Sequence, residues 1–384
     1  MGTLRIERSR LHDWATRPVG AAWRSFDLQL TIYALLLASI GLAMAYSNSG
    51  DDTLLQGGST FLRGLMWAGI AIVVFTVAAV FDYKWLKTFA WPIYFTNLGL
   101  LVVTLAIGNG VGGAARWVSL FGIQFQFSEL AKILMIIVLA NYLTRRQPKL
   151  DSLTSIIGAV LLVAPAAVLV LLQPDLGTSL VFGAILAGMM FMSGANLKWL
   201  AVLAGGVVAA VPIVWTHVLR DYQKQRLLSF LDPTADPQGS GYQLLQSQTA
   251  VASGGLLGKG LANNSQAQAD LLPVQTTDFV FAILAQELGF VGGMVVFALF
   301  VALLWRILTA AWRSRDPFGL LLGSGLASMI LFQLVVNVGM VLGIMPITGI
   351  PLPFVTHGGA SLVSLALGLG LLQSINVHQT RAEW

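Results

Sequence analysis

The stretch TTDFVFAILAQELGFVGGMVVFALFVALLW, residues 276–305, places Asp278 at the start of an apolar run long enough to cross a bilayer. Nine further apolar runs occur along the 384-residue chain, in which 56% of the residues are hydrophobic and 10% are charged. A soluble domain carries about 25% charged residues, so most of this chain cannot face water. Because the runs are continuous and do not alternate as barrel strands do, the sequence predicts an all-α, polytopic integral membrane protein with about ten transmembrane helices.

The apolar runs divide the chain into five segments. We predict a cytoplasmic N-terminal tail at 1–26, transmembrane helices 1–7 within 27–217, a large extracytoplasmic loop at 218–277, helices 8–10 within 278–377, and a cytoplasmic C-terminal tail at 378–384. The spans are predicted near residues 27–47, 62–81, 88–107, 128–144, 154–173, 176–194, 198–217, 278–305, 318–345 and 354–377.

The distribution of lysine and arginine predicts the orientation of the helices. With the N-terminus inside, fifteen of the 22 Lys and Arg residues fall in cytoplasmic segments, so both termini are predicted to be cytoplasmic. The formal charge of +5 reflects this asymmetry and is therefore weak evidence for nucleic-acid binding.

Residues 1–26 lack the apolar core and cleavage site of a removable signal peptide. The absence of cysteine excludes disulfides, thiolate chemistry and Cys-bound metal.

The loop at 218–277 is long for a compact protein, and such loops are usually either functional or disordered. It contains the turn-rich stretch DPTADPQGSGYQ (232–243) and then QLLQSQTAVASGGLLGKG (243–260), which is typical of a short helix ending at glycines. The mixture of apolar and polar residues argues against disorder. We therefore expect this loop to fold over the outer face of the protein.

Glu129 and Lys132 are two charged residues one turn into an apolar run, where burying either charge alone has a high free-energy cost. Their i, i+3 spacing places them on one helix face, where they can pair. Two interpretations remain open: a structural ion pair that locks helices or snorkels to the interface, and a polar element that lines an outward-facing cavity.

Further polar features fall at the predicted outer ends of the helices. Arg116 lies there against the positive-inside bias and needs an anionic partner, whereas Trp117 alone is typical of an aromatic belt. Asp175 lies in QPDLGT, between two spans. The segment PITGIPLPFVTHGGAS (346–361) has the proline and glycine density of broken backbone, which membranes tolerate only inside protein or beside a cavity. Together with Asp278, these features predict an outward-facing polar site for an anionic, membrane-associated ligand.

At these motifs the sequence resembles the SEDS family of cell-wall polymerases, which have ten membrane helices. The resemblance rests on GAARW, FSELAK, QPDLGTSLV, FLDPTADPQGSGYQLLQSQTAVASGGLLGKG, TTDFVFAILAQELGF and GIPLPFVTHGGAS, in this order across nearly the whole chain. The stretches DPFG (316–319), VNVGM (336–340) and SQAQADLLP (265–273) are more similar to the RodA elongation branch than to the FtsW division branch.

The resemblance implies a peptidoglycan glycosyltransferase that acts on lipid II, with Asp278 of the TDF motif as the catalytic residue. It also implies that Trp117, Glu129 and Lys132 lie in or near the active cavity. A class B penicillin-binding protein, which cross-links new strands, is the expected partner.

The sequence departs from the family pattern at several positions near these motifs. Val274 and Thr276 stand where the family usually has Glu and His, and Phe127 stands at the usual Pro. Gln286 replaces a Glu of AEELGF, and THGGAS replaces SYGGSS. Any role of the missing Glu and His is therefore in doubt, whereas Asp278 is intact.

The reaction that the resemblance implies needs a base and a cationic site. Asp278 is the candidate general base for a sugar hydroxyl, and Arg116, Lys259 and Lys132 are candidates to stabilise the departing diphosphate. Asp175 and Thr277 complete the substrate-binding candidates. No cofactor is assigned; a divalent cation, Mg²⁺ or Mn²⁺, with Asp278 or Asp175 as oxygen ligand, is left open.

Alternatives remain for both the residue and the protein. Asp278 also suits the cap of the helix that follows it, with Thr276 or Thr277 sharing that role. The protein itself could be a lipid II flippase or other lipid-linked carrier, because carriers use intramembrane charges and broken helices. It could also be a non-catalytic scaffold of a wall-synthesis complex.

Overall fold

The computed structural model describes residues 25–47, 60–108, 116–120, 123–147, 152–236, 239–261, 278–356 and 358–379. Its helices are α1 (Leu28–Ser47), α2 (Thr60–Val80), α3 (Lys84–Thr88), α4 (Ala90–Ile107), α5 (Phe127–Arg146), α6 (Leu153–Leu172), α7 (Leu176–Met192), α8 (Leu197–Ile213), α9 (Asp221–Leu231), α10 (Ser240–Gly254), α11 (Val280–Trp312), α12 (Pro317–Val341) and α13 (Gly359–Gln379). A two-stranded antiparallel hairpin, β1 (Val118–Leu120) and β2 (Ile123–Phe125), pairs Val118 with Phe125.

The described helices confirm the prediction of an all-α, polytopic membrane protein. Eight of them are at least 18 residues long and apolar enough to cross a membrane, and α8 joins the π-helical turn after it in a ninth such span, Leu197–His217. The helix α7 is a shorter apolar helix of 17 residues. Each falls in one of the ten predicted spans. The last begins later than expected, at Gly359, because Pro351 and Pro353 hold the preceding residues in extended and turn conformations.

The centre of the bundle is formed by α5, α12 and α13, whose most apolar windows are 72%, 72% and 78% buried, whereas that of α8 is 0% buried. Glycines allow the central helices to approach their neighbours closely. A Cβ on Gly370 of α13 would lie 2.6 Å from the carbonyl oxygen of Phe75 in α2. Small residues serve this purpose in membranes, where packing rather than a hydrophobic driving force joins helices.

One end of the bundle carries the starts of α5, α7 and α11, and we call it the site end. The other end is fastened by ion pairs between elements distant in sequence. Arg306 near the end of α11 donates to Asp27 before α1, with Nη2 2.6 Å from Oδ2, and Lys87 of α3 pairs with Asp316 before α12. Gln373 of α13 donates to the carbonyl oxygen of Asp27 at 2.7 Å. Motion between helices is therefore restrained at the end opposite the site.

The long loop rests on the bundle through its two helices, α9 and α10. The short helix expected within 243–260 is present as α10, and α9 is an additional helix. Tyr222 of α9 donates its hydroxyl to the carbonyl oxygen of Pro174 at 2.9 Å, and Ser247 of α10 donates to that of Val341 at 3.1 Å.

The segment after α10 pairs with an interruption in α11, where Gly289 adopts a φ of 68°. The N–H groups of Lys259 and Gly260 donate to the carbonyls of Gln286 and Glu287, both at 3.0 Å. In return, Phe290 donates to the carbonyl of Gly255 at 2.9 Å. Lipid offers no hydrogen bonds, so the loop satisfies backbone groups that the broken helix leaves open.

Replacing Gly258 by alanine is expected to destabilise this junction more than the same change at Gly255. Both glycines have positive φ, 79° and 55°, so both alanines carry the cost of a left-handed backbone. Only at Gly258 would the added Cβ also meet backbone, 2.0 Å from the carbonyl oxygen of Glu287; at Gly255 it meets nothing within 4 Å. Thermal unfolding of the purified variants in detergent should give the larger decrease for Gly258→Ala, and equal decreases would contradict the close approach.

Candidate functional site

A cavity of about 190 Å³ opens at the site end. Its walls come from the residues on either side of the hairpin and the start of α5, from the start of α7, from the residue before α11, and from the irregular segment before α13 together with the start of that helix. Five of the residues singled out in the sequence line it: Arg116, Trp117, Glu129, Asp175 and Asp278. Segments from Arg116 to Ser361 thus contribute to one charged cavity.

The other three predicted residues are not in the cavity lining. Lys132 is buried behind Glu129, and Thr277 lies outside the described residues. Lys259 is exposed and does not line the cavity, and its backbone N–H donates to the carbonyl of Gln286. The glycines around it fasten this segment to the interruption in α11, and Lys259 itself stays a candidate for substrate binding.

Glu129 and Lys132 form a buried ion pair on the first two turns of α5. Lys132 Nζ lies 2.7 Å from Glu129 Oε1, and the two residues are 1% and 4% exposed. The pair lies within a single helix and is buried, which excludes the snorkelling alternative. Because Glu129 also lines the cavity, the pair places a neutralised but polar surface on the cavity wall.

Asp175 acts as the N-cap of α7 and is almost fully buried. Its Oδ1 accepts from the N–H of Thr178 at 3.1 Å, and its Oδ2 accepts from the Thr178 hydroxyl at 2.9 Å. Gln126, just before α5, also donates to Oδ2 at 3.3 Å. This carboxylate therefore joins the starts of α5 and α7.

Arg116 is held by backbone oxygens rather than by a carboxylate. Its Nε donates to the carbonyl of Gln173 at 3.2 Å, and its Nη2 donates to the carbonyl of Pro174. Within the part of the chain that the structure describes, no acidic side chain forms an ion pair with it. The guanidinium therefore lines the cavity wall, beside Trp117, without a carboxylate partner among the described residues.

Asp278 lies immediately before the start of α11 and lines the cavity, half-buried. The N-cap position is Phe279, whose side chain forms no capping bond. Asp278 is therefore not the N-cap residue of α11, and Thr276 and Thr277, which shared the capping alternative, lie outside the described residues. Its backbone is held from α12, because Asn337 Nδ2 donates to the carbonyl of Asp278 at 2.9 Å and to that of Ile350 at 2.7 Å.

Asn337 is a site residue that the sequence reasoning missed. It is 0% exposed and lies in a largely apolar helix, where burial of a carboxamide costs free energy unless the group is hydrogen-bonded. A carboxamide within the apolar VNVGM stretch was the available signal. Gly349 was also missed: a Cβ there would lie 3.4 Å from Asp278 Oδ2, so the glycine leaves the space beside the carboxylate open.

The fold and the cavity define a polytopic helical membrane protein with a charged site at one end of its bundle. The family profile described as cell cycle protein, FtsW/RodA/SpoVE, matches residues 27–381. Among curated relatives, the peptidoglycan glycosyltransferase MrdB of Escherichia coli K12 is 36% identical over 93% of this chain and 95% of its own length. Stage V sporulation protein E of Bacillus subtilis 168 is 36% identical over 91% of this chain and 96% of its own length.

Similar solved structures indicate the same family. A chain from a structure on the coordination of polymerization and crosslinking by a peptidoglycan synthase complex aligns with a TM-score of 0.78 and 31% identity, covering 94% of this chain and 99% of that chain. The rod shape determining protein RodA of Thermus thermophilus aligns with a TM-score of 0.70 and 28% identity over the same shares. This chain belongs to the FtsW/RodA/SpoVE family, which confirms the resemblance identified from its motifs.

Replacing Lys132 by methionine is expected to lower the free energy of unfolding by about 3–5 kcal/mol, because it leaves the buried Glu129 carboxylate without its cation. The double variant Glu129→Gln, Lys132→Met removes both charges and should recover a large part of that loss. Lys224→Met is the matched control, since its pair with Asp221 is solvent-exposed and 3.9 Å long. Thermal unfolding in detergent measures all three; a double variant no more stable than Lys132→Met would contradict the buried pair.

Proposed function

We propose that this protein is a peptidoglycan glycosyltransferase that polymerises lipid II into glycan strands at the outer face of the cytoplasmic membrane during cell elongation. Membership of the family and the names of the relatives support the activity. The single observation that carries the mechanism is the position of Asp278, half-buried in a charged cavity beside Gly349. A carboxylate on a residue whose backbone carbonyl is held by Asn337 suits a base that acts on a bound sugar.

The reaction joins two lipid-linked disaccharide peptides. The 4-hydroxyl oxygen of an acceptor GlcNAc attacks the anomeric carbon of MurNAc at the end of the growing chain. The bond from that carbon to the diphosphate oxygen breaks, and undecaprenyl diphosphate leaves with the electron pair. The hydroxyl proton passes to Asp278, which we assign as the general base. Such proton transfer contributes about 10²–10⁴-fold to the rate.

The remaining cavity residues bind substrate. Arg116 offers a fixed positive charge to the diphosphate, since preorganised cations stabilise charge that develops on a leaving group. Trp117 offers a flat apolar surface to the sugar. Lys132 is committed to Glu129, so it supports the cavity wall rather than the diphosphate. Thr277 stays a candidate for substrate contact.

A divalent cation would enter with the substrate rather than occupy a preformed protein site. The described residues contain no group of three or more potential metal-ligating His, Cys, Asp or Glu side chains, and the oxygens of Asp175 already accept bonds from Thr178 and Gln126. Magnesium binds commonly through one or two carboxylates plus substrate phosphates. Asp278 and the diphosphate therefore fit Mg²⁺ or Mn²⁺, which would add positive charge at the leaving group.

The protein works in the membrane with a cross-linking partner. We place it as a multi-pass protein of the cytoplasmic membrane, with both termini cytoplasmic, as the lysine and arginine distribution favours. A class B penicillin-binding protein is the proposed partner. The structural neighbour from a peptidoglycan synthase complex supports this pairing of polymerisation with crosslinking.

Asp278→Asn is expected to reduce polymerisation of lipid II by about 10²–10⁴-fold while the protein stays folded, because the amide cannot accept the hydroxyl proton. The measurement is glycan chain formation by purified protein, alone and with its class B partner. Asp221→Asn is the control, since that carboxylate is fully exposed on α9.

Three outcomes would contradict this assignment. A folded Asp278→Asn variant that polymerises at the wild-type rate would exclude the base. Wild-type protein that forms no polymer under any partner or cation condition, but moves lipid II across vesicle membranes, would favour the flippase. Absence of both activities would favour the scaffold.

Removal of divalent cations with EDTA is expected to lower the polymerisation rate of wild-type protein, and Mg²⁺ or Mn²⁺ should restore it, because the cation would offset charge on the departing diphosphate. A rate that EDTA leaves unchanged would assign that stabilisation to Arg116 without a metal ion.

A further inference from the structure

A second, smaller cavity of about 30 Å³ adjoins the first and shares Arg116 with it. Its walls are the start of α7, the segment 346–348 and one face of α9. Of the described residues that line it, two are arginines, Arg116 and Arg226, and none is acidic. The acidic residues Glu129, Asp175 and Asp278 line the first cavity, Arg116 lies at its boundary with the second, and Arg226 lines the second.

Arg226 is close to the carboxylate of Asp278. A Cβ built on Gly349 would lie 3.4 Å from Asp278 Oδ2 and 3.8 Å from Arg226 Nη1, so these two atoms are no more than 7.2 Å apart, the sum of the two distances. Within the described part of the chain, no carboxylate lies at ion-pair distance from Arg226. A half-buried guanidinium without such a partner is suited to an incoming anion.

The two arginines are linked through Tyr222 and one backbone carbonyl. Pro174 accepts bonds from both Arg116 and the Tyr222 hydroxyl, the latter at 2.9 Å. Arg226, one turn further along α9, has its Cζ 6.0 Å from the centroid of the Tyr222 ring, at the limit of a cation–π contact. Docking of α9 on the bundle thus fixes the position of Arg226 relative to Arg116.

We propose that Arg226 and Arg116 form a subsite for the diphosphate of the lipid-linked substrate. This assignment rests on the proposed glycosyltransferase function and extends it to a residue of the long loop. Arginine presents its donors in a planar fork that matches phosphate oxygens. With the base on one side of the reacting carbon and two guanidiniums at the leaving group, charge is stabilised where it develops in the transition state.

Equilibrium binding of undecaprenyl diphosphate to full-length protein in nanodiscs tests the subsite without turnover when Asp278→Asn is the background. Adding Arg226→Gln is expected to weaken binding by about tenfold, because charge-assisted bonds to phosphate are lost. Lys224→Gln is the matched control: it removes a positive charge from the same helix, and Lys224 lines neither of the two cavities. Its affinity should stay within about twofold of the background. Equal affinity of the Arg226→Gln and control proteins would overturn the proposal.

Arg226→Lys keeps the positive charge but loses the planar fork of donors. It replaces Arg226→Gln in the binding experiment if the glutamine variant fails to fold. Its affinity for undecaprenyl diphosphate should fall by about threefold or more. An affinity equal to that of the background would overturn the bidentate role.

Polymerisation kinetics with Asp278 intact separate this proposal from the one on which it rests. Arg226→Gln should lower kcat as well as raise KM for lipid II, because the diphosphate charge grows in the transition state. If wild-type protein forms no polymer, the glycosyltransferase assignment fails while the binding experiment still decides the subsite. If wild type and Arg226→Gln polymerise with the same kcat and KM, the subsite fails and the glycosyltransferase assignment stands.

Discussion

The geometry of the site depends on the buried carboxamide of Asn337. Its two N–H groups are shared between the carbonyls of Asp278 and Ile350, which belong to two irregular segments that meet at the site end. Unpaired carbonyls away from water cost several kcal/mol each, and neither segment has a regular ladder to satisfy them. Because Asn337 belongs to α12, one of the most buried helices, the residue before α11 is fixed to the rigid centre of the bundle.

The same constraint explains why the long loop is an integral part of the structure. The interruption of α11 at Gly289 exposes backbone groups, and residues 255–260 satisfy them. Through this junction and the bond from Ser247 to Val341, α10 is fastened to α11 and α12. The loop thereby brings α9, with Tyr222 and Arg226, against the rim of the cavity.

The fold could be predicted from the sequence because the lengths of the apolar runs alone determine the number of spans. The interruption of α11 could not, since it depends on a tertiary partner more than 20 residues earlier in the chain. Five of the eight predicted site residues line the cavity because charged residues are so few that those near apolar runs mark polar sites. Lys259 and Arg226 belong to a loop whose charges nearly cancel, and only tertiary structure distinguishes them.

Two departures from the family pattern are explained by roles that do not need the usual side chain. Gln286 supplies its backbone carbonyl to Lys259, a contact that any residue can make. Phe127 is the first residue of α5, where proline is favoured but not required, and its ring packs edge-on against Phe125 at 5.2 Å. The contacts of α5 and α11 at these positions are therefore compatible with Phe127 and Gln286 in place of the usual residues.

The three carboxylates of the cavity differ in what they are bonded to, and this difference separates stability from chemistry. Glu129 neutralises Lys132, and Asp175 accepts three bonds that cap α7 and reach Gln126 before α5. Both are buried and each fixes a helix start, so their oxygens are committed to the fold. Asp278 is the least buried of the three: it lines the cavity half-buried, and its backbone carbonyl accepts from Asn337 Nδ2. A general base must reach the hydroxyl of a bound substrate, and of the three carboxylates, Asp278 is the most open to the cavity.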